Sequence, residues 1–183
     1  MSIKLTLNPL RRLMGKTEVY TFSGGIHPKD MKAMTEKERI IDLEAPKSLT
    51  FPLQQHIGKP AIPLVKVGDR VLMGQKIAEA DGFVSANVHS SVSGTVTAIE
   101  PKLHPSGTKV ESIVVENDGL YEEASEMKKY TFDSVSPAEI VDAVKNAGIV
   151  GMGGAAFPTH VKLSPPQDKK IKYIIINGAE CEP

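Results

Sequence analysis

Between residues 61 and 119 the apolar residues arrive in short, partly alternating runs, and a turn closes each one. The runs are Val65-Lys66-Val67, Arg70-Val71-Leu72, Lys76-Ile77-Ala78-Glu79, Thr95-Val96-Thr97-Ala98-Ile99 and Glu111-Ser112-Ile113-Val114-Val115. Gly68-Asp69, Gly74, Asp81-Gly82, Ser93-Gly94 and Ser106-Gly107 separate them. A chain broken this often cannot hold long helices, and period-two alternation buries one face of each run, so a small barrel or sandwich is expected. Ile77-Ala78-Glu79-Ala80-Asp81-Gly82 is echoed by Val114-Val115-Glu116-Asn117-Asp118-Gly119. Two β halves related by a pseudo-twofold would give that echo, and so would two strand-end turns of like composition.

The flanks read differently. Residues 17 to 60 are irregular: Gly24-Gly25-Ile26-His27-Pro28 is a turn cluster, Met31 to Arg39 is polar and weakly helical, and Pro46 and Pro52 mark extended chain. Residues 120 to 135 read as a linker, with Glu122, Glu123, Glu126, Lys128 and Lys129 as solvated charge. Ser136-Pro137-Ala138-Glu139 then forms a capping box with proline at the first helical position. Ile140, Val141, Val144 and Ala147 share a helical face, and Gly148 is placed to stop the helix.

Composition narrows the function classes. The chain has 183 residues, 40% apolar and 24% charged, room for one domain or two small ones with a core. Lys plus Arg and Asp plus Glu are both 22, so no cationic excess supports a nucleic-acid surface or a polybasic membrane anchor. A single cysteine rules out a disulfide framework, and a zinc or iron–sulfur site made by this chain alone. No stretch approaches the roughly 20 apolar residues that span a bilayer. Met1 to Lys16 mixes Lys4, Arg11, Arg12 and Lys16 with Leu and Met and does not read as a signal peptide.

Chemistry is concentrated after the helix. Gly148, Gly151, Gly153 and Gly154 crowd one loop, with Ala156, Phe157, His160 and Lys162 following. Glycines at that density let backbone amides converge on an anion, and a helix beginning near Phe157 would favour a phosphate as well. Lys162 is within reach of the same ligand. Gly151, Gly153 and Ala156 satisfy the letters of a dinucleotide fingerprint, yet a helix precedes them where that fingerprint needs a strand. A tight glycine turn between two helices is the plain alternative. Further on, Lys172-Tyr173-Ile174-Ile175-Ile176 reads as a buried strand delivering Asn177, Glu180 and Glu182 at its end. Its open edge could pair with another chain and form a dimer. Cys181 reads as a small buried residue, and no metal ligands are assigned.

Gly151 to Lys162 and Asn177 to Pro183 closely resemble the flavin-binding segments of the 51-kDa-type NADH-oxidising subunit of respiratory complex I. The pattern there is Gly-Arg-Gly-Gly-Ala-Gly-Phe-Pro-Thr-Gly-Leu-Lys followed by Asn-Ala-Asp-Glu-Ser-Glu-Pro. Thr21 to Pro28, Pro52 to Gly58, Lys66 to Gln75 and Asp81 to Ala86 look like the C-type subunit of the Rnf electron-transport complex. The resemblance covers about residues 18 to 183. It implies a mixed α+β chain: an N-terminal arm (1–20), a lipoyl-like barrel-sandwich hybrid module (21–119), a linker (120–135) and the incomplete start of an α/β FMN/NADH-binding domain (136–183).

The same resemblance implies one subunit of an ion-translocating NAD:ferredoxin oxidoreductase, peripheral on the cytoplasmic face of the bacterial cell membrane. Its partners would be the other Rnf subunits, NADH and, indirectly, ferredoxin. FMN would be approached by Gly151, Gly153 and Gly154, paired through Lys162 and hydrogen-bonded by Asn177. Glu180 and Glu182 would face flavin and nicotinamide nucleotide, with Phe157 stacking on the latter. Two 4Fe-4S clusters would belong to a C-terminal part absent from this piece, which alone would be inactive. Met152 replaces the pattern's arginine, His160 and Val161 replace Gly-Leu, and Ala179 and Cys181 replace Asp and Ser.

The β region also resembles biotinyl and lipoyl carrier domains, but Asp81 to Ser90, where a carrier keeps its lysine, contains none. Acyl-carrier chemistry is thereby excluded at that site, and the sandwich reads as a docking scaffold. His89 in that segment is a candidate ligand or proton carrier or, more plainly, a turn residue. His27 and His56 read as structural. The other functional reading is a non-catalytic docking module for neighbouring subunits, as in the A-type subunit of sodium-translocating NADH:quinone reductase.

Overall fold

The computed structural model describes residues 6–7, 20–21, 29, 31–124, 131–153, 155–166 and 168–175. Contacts divide the chain into two compact units, residues 1–42 with 173–183, and residues 43–172. In the first unit, β1 (Thr6–Leu7) and β2 (Tyr20–Thr21) pair antiparallel, Thr6 opposite Thr21. The weakly helical run is a single 3-10 turn, Lys32–Met34, entered through Met31 at φ 51°. Tyr173, Ile174 and Ile175 are exposed and unpaired among the described residues, which corrects the expected buried strand. A β-branched run becomes a strand only where a neighbour takes its backbone hydrogen bonds. Ile176, Asn177, Glu180, Cys181, Glu182 and His27 lie outside the described residues.

In the second unit, Thr95 and Thr97 face outward while Val96 between them is buried, as alternation requires. Seven described strands follow that logic: β3 (Ser48–Pro52), β4 (Ile62–Pro63), β5 (Arg70–Val71), β6 (Lys76–Glu79), β7 (Val88–His89), β8 (Gly94–Leu103) and β9 (Lys109–Asn117). They make an antiparallel sheet in the order β3-β9-β8-β5 and a second in the order β4-β6-β7. Phe51, Val71, Val96, Ile113 and Val115 from the first share one core with Ile77, Ala78 and Val88 from the second. That is a sandwich, and at about 25 cal/mol per Å² its closure is the main source of stability.

β3 lies in the stretch expected to be irregular. Leu49 and Phe51 alternate inward, and its register runs from Ser48↔Glu116 to Pro52↔Ser112. Pro52 is tolerated because β3 is an edge strand and the proline is its last residue. In contrast Val65-Lys66-Val67 is not a strand: Asp69 Oδ2 takes the Lys66 N–H at 2.9 Å, and Val67 is exposed. An Asx-type bond of this kind competes with a ladder.

The internal echo has a topological counterpart. β6 lies between β7 and β4, as β9 lies between β3 and β8, so each repeated segment belongs to an inner strand of its sheet. Both end in aspartates held by a cation and a serine. Asp81 pairs with Lys59 Nζ and its N–H donates to Ser85 Oγ; Asp118 pairs with Arg70 and accepts from Ser93 Oγ at 2.7 Å. After Asp118 the chain becomes a strap across the sandwich. Met73 N–H donates to Glu122 O and Ala124 N–H to Met73 O, both at 2.8 Å. Residues 120–124, expected to be solvated linker, are thus tied to the β unit.

Candidate functional site

The capping box forms as expected and starts α1 (Pro137–Asn146). Glu139 N–H donates to Ser136 Oγ at 3.3 Å while Ser136 N–H donates to Glu139 Oε2 at 2.9 Å. Val141, Ala143 and Val144 are half-buried; Ile140 and Ala147, assigned to the same face by spacing, are exposed. The helix stops at Gly148, at φ 67°. A Cβ there would run into the carbonyl oxygen of Asn87, so only glycine permits this left-handed exit against the sandwich. Asn87 Nδ2 in turn donates to Asn146 O at 3.1 Å and leans on Lys145 O at 3.4 Å, satisfying carbonyls that end the helix.

From Gly148 the chain makes a tight hairpin. Val150 bridges Pro158, Gly151 N–H donates to Phe157 O at 3.0 Å, and Thr159 N–H to Ile149 O at 3.0 Å. Ala156 closes the tip by donating to Gly153 O at 3.2 Å and sits at φ 48°, a left-handed conformation, at a position where the complex I-type pattern has glycine. Met152 and Gly153 are exposed at the turn, and no described residue takes their N–H groups. Lys162 bends back over the turn: its Nζ lies 3.4 Å from the place a Gly151 Cβ would occupy. Among the described residues no carboxylate pairs with it. Gly151, Gly153, Phe157 and Lys162 are therefore brought together; Gly154, Asn177, Glu180 and Glu182 lie outside the described residues.

The helix expected near Phe157 is one turn, α2 (Thr159–Lys162), with Pro158 as its N-cap. Its first N–H is already spent on Ile149 O. The helix-dipole contribution to an anion site is withdrawn, and the glycine turn with Lys162 carries what remains.

Three residues outside the candidate site support this turn, His56 in the structural role expected of it. His160, 4% exposed, donates from Nε2 to Phe83 O at 3.1 Å, and its ring meets Phe83 edge-on at 6.4 Å. Ile57 N–H donates to Ala155 O at 3.0 Å. His56, also buried, donates from Nδ1 to Ile57 O at 3.0 Å and accepts the Ala86 N–H on Nε2 at 3.1 Å, which fixes a neutral ring in a structural role. A cavity of about 440 Å³ opens beside Ala155 and Ala156, walled by Gln54, His56, His104 and Thr108. His89 is a strand residue opposite Lys76, not a turn residue. Burial, and then the Lys76 charge, hold its imidazole below the usual histidine range.

No cluster of three His, Cys, Asp or Glu that could hold a metal exists among the described residues. None of the described helices is long and apolar enough to cross a membrane.

A family model described as the RnfC barrel sandwich hybrid domain matches residues 20–120, and one described as the Nuo51 FMN-binding domain matches residues 144–183. The chain is 48% identical over 164 residues to the C-type subunit of the Na(+)-translocating ferredoxin:NAD(+) oxidoreductase complex of Acetobacterium woodii, covering 89% of this chain and 37% of that protein. It is 46% identical over 164 residues to the proton-translocating counterpart of Clostridium ljungdahlii, covering 89% and 36%. It is 40% identical over 181 residues to the C-type subunit of the ion-translocating oxidoreductase complex of Rhodobacter capsulatus, covering 98% and 35%. The chain thus spans little more than a third of the length of these relatives.

Proposed function

The chain belongs to the RnfC barrel sandwich hybrid domain family, and from that membership we propose that it is part of an ion-translocating NAD:ferredoxin oxidoreductase, within the subunit that passes electrons between NAD(H), FMN and iron–sulfur clusters. The observation that carries this reading is the turn at Gly151–Phe157, with the Lys162 ammonium close to Gly151 and two exposed residues, Met152 and Gly153, whose N–H groups no described residue takes. A cation with no carboxylate partner among the described residues, beside peptide N–H groups that no described residue takes, fits a phosphate. A bound FMN supplies exchange between two-electron and one-electron chemistry.

The chain's own residues bind and orient. Gly151, Gly153 and Gly154 admit the phosphate to the backbone, and Lys162 neutralises it. Phe157 offers a ring face to the nicotinamide nucleotide. Asn177 would hydrogen-bond the flavin, with Glu180 and Glu182 facing flavin and nucleotide. Residues 21–119 serve as the scaffold, with 120–124 strapped to it, 125–135 as the connection and 136–183 as the first part of the nucleotide site. Two 4Fe-4S clusters would belong to a C-terminal part outside residues 1–183. The whole protein would sit peripherally on the cytoplasmic face of the membrane, docked to the other Rnf subunits and serving ferredoxin indirectly. The FMN-binding domain match over 144–183 favours this reading over a non-catalytic docking module.

Flavin titration of the native full-length protein tests it. FMN should be retained, NADH should reduce an added dye through it, and Lys162→Ala should weaken FMN about tenfold, the loss of one charge-assisted contact. No flavin retention together with no NADH-dependent dye reduction overturns the reading.

A further inference from the structure

We propose that the hairpin tip of the sandwich, where a carrier domain would hold its lysine, is a bracket that sets the geometry of the glycine turn, with Phe83, Asn87 and His160 as positioning residues for its ligand. The inference rests on the FMN reading and adds to it a role for the β module.

The bracket grips the turn on both sides and at its centre. At the entry, Asn87 caps the carbonyls of Lys145 and Asn146 with Nδ2, and its backbone oxygen abuts Gly148. The Asn87 side chain is itself locked, since Oδ1 accepts the Ala80 N–H at 2.9 Å. At the exit, His160 is tied to Phe83 by Nε2 and by ring contact, two residues before the Lys162 ammonium. At the centre, Ala155 O takes the Ile57 N–H, and Ile57 O is held by His56, which also holds Ala86 of the tip. Gly58 completes the support: at φ 104° it lies against Val84, and Lys59 N–H donates to Val84 O at 3.0 Å.

These contacts fall on Lys145, Asn146, Gly148, Ala155 and His160, not on the exposed Met152 and Gly153. None touches the proposed phosphate position, so they act through the turn's shape. A short glycine-rich loop has little intrinsic preference for one conformation, and binding geometry held to about half an ångström requires support of this kind. His160 stands where the complex I-type pattern has glycine, so the departure from that pattern is the residue that reaches the sandwich.

The test compares FMN affinity of the native full-length protein with that of Asn87→Asp, His160→Ala, His160→Gln and Phe83→Leu. Aspartate keeps the Ala80 bond but turns a carboxylate toward helix-end carbonyls; glutamine keeps a donor for Phe83 O. Asn87→Asp and His160→Ala should raise the FMN dissociation constant about tenfold, with His160→Gln restoring most of it and Phe83→Leu losing a smaller part. Amide exchange at 152–156 should quicken in the two damaging variants. Phe83 is largely exposed, so its variant remains folded and informative. Unchanged FMN affinity in Asn87→Asp and His160→Ala, or a glutamine no better than alanine, overturns the bracket. If the wild type retains no FMN the flavin reading falls separately, and unchanged amide exchange then overturns the bracket alone.

Discussion

Arg70 Nη1 lies 2.9 Å from Asp118 Oδ2, while Nη2 of the same guanidinium holds Glu122 Oε2 at 2.7 Å. One side chain thereby pins the end of an inner strand and the strap that follows it. The Leu120 N–H, then Ser93 Oγ, then Arg70 hold the Asp118 carboxyl below the usual carboxylate range.

A depressed carboxylate pKa stabilises the fold above its unfolded value, and that stability is lost as pH falls through the folded one. Melting temperature should therefore drop on the acid side, below the ordinary aspartate value of 3.8. Asp118→Asn should melt lower at neutral pH and show a flatter acid limb. An unchanged acid limb in thermal melts would remove Asp118 from this role.

His89 acts at milder pH. Its imidazole titrates below the ordinary 6.5 in the folded chain, so the unfolded chain binds the proton first and stability is lost as pH falls below about that value. His89→Gln should flatten denaturation midpoints between neutral and mildly acid pH. A variant that keeps the wild-type slope would assign it to another group.

Ala156 carries backbone strain at φ 48°. A non-glycine residue there costs about 1 kcal/mol, against which glycine's extra unfolded-state freedom costs about 0.5 kcal/mol. Ala156→Gly should raise unfolding free energy in urea by about 0.5 kcal/mol. A loss of stability would show that the alanine methyl contributes more than the strain.

Met152 is fully exposed at the turn, where the complex I-type pattern has arginine. Met152→Arg should tighten FMN or NADH about fivefold, roughly 1 kcal/mol for an exposed charge pair, and the gain should fade with added salt. A salt-independent change would point to packing.

What was legible in the sequence is what is locally determined. The runs around Ile77, Val96 and Ile113 carry alternation and turn residues, and the helix after Ser136 carries its own cap. The glycine turn and Lys162 are eleven or fewer residues apart, and they meet. β3 escaped because two prolines bracket it and its partner residues on β9 lie far along the chain, Ser48 opposite Glu116. Asn87 and Phe83 escaped for the same reason, acting on groups 59 and 77 residues away. Tyr173 to Ile175 misled in the opposite sense: β-branched composition specifies extended chain, and only a neighbour makes it a strand.

In a swinging-arm protein the cargo travels because the domain bearing it does. Here the corresponding tip lies against Gly148 through Asn87 and against His160 through Phe83. If the tip is docked as proposed, the logistics reverse: the sandwich would stay put, and whatever the turn exchanges would have to arrive there and leave again through a stationary frame.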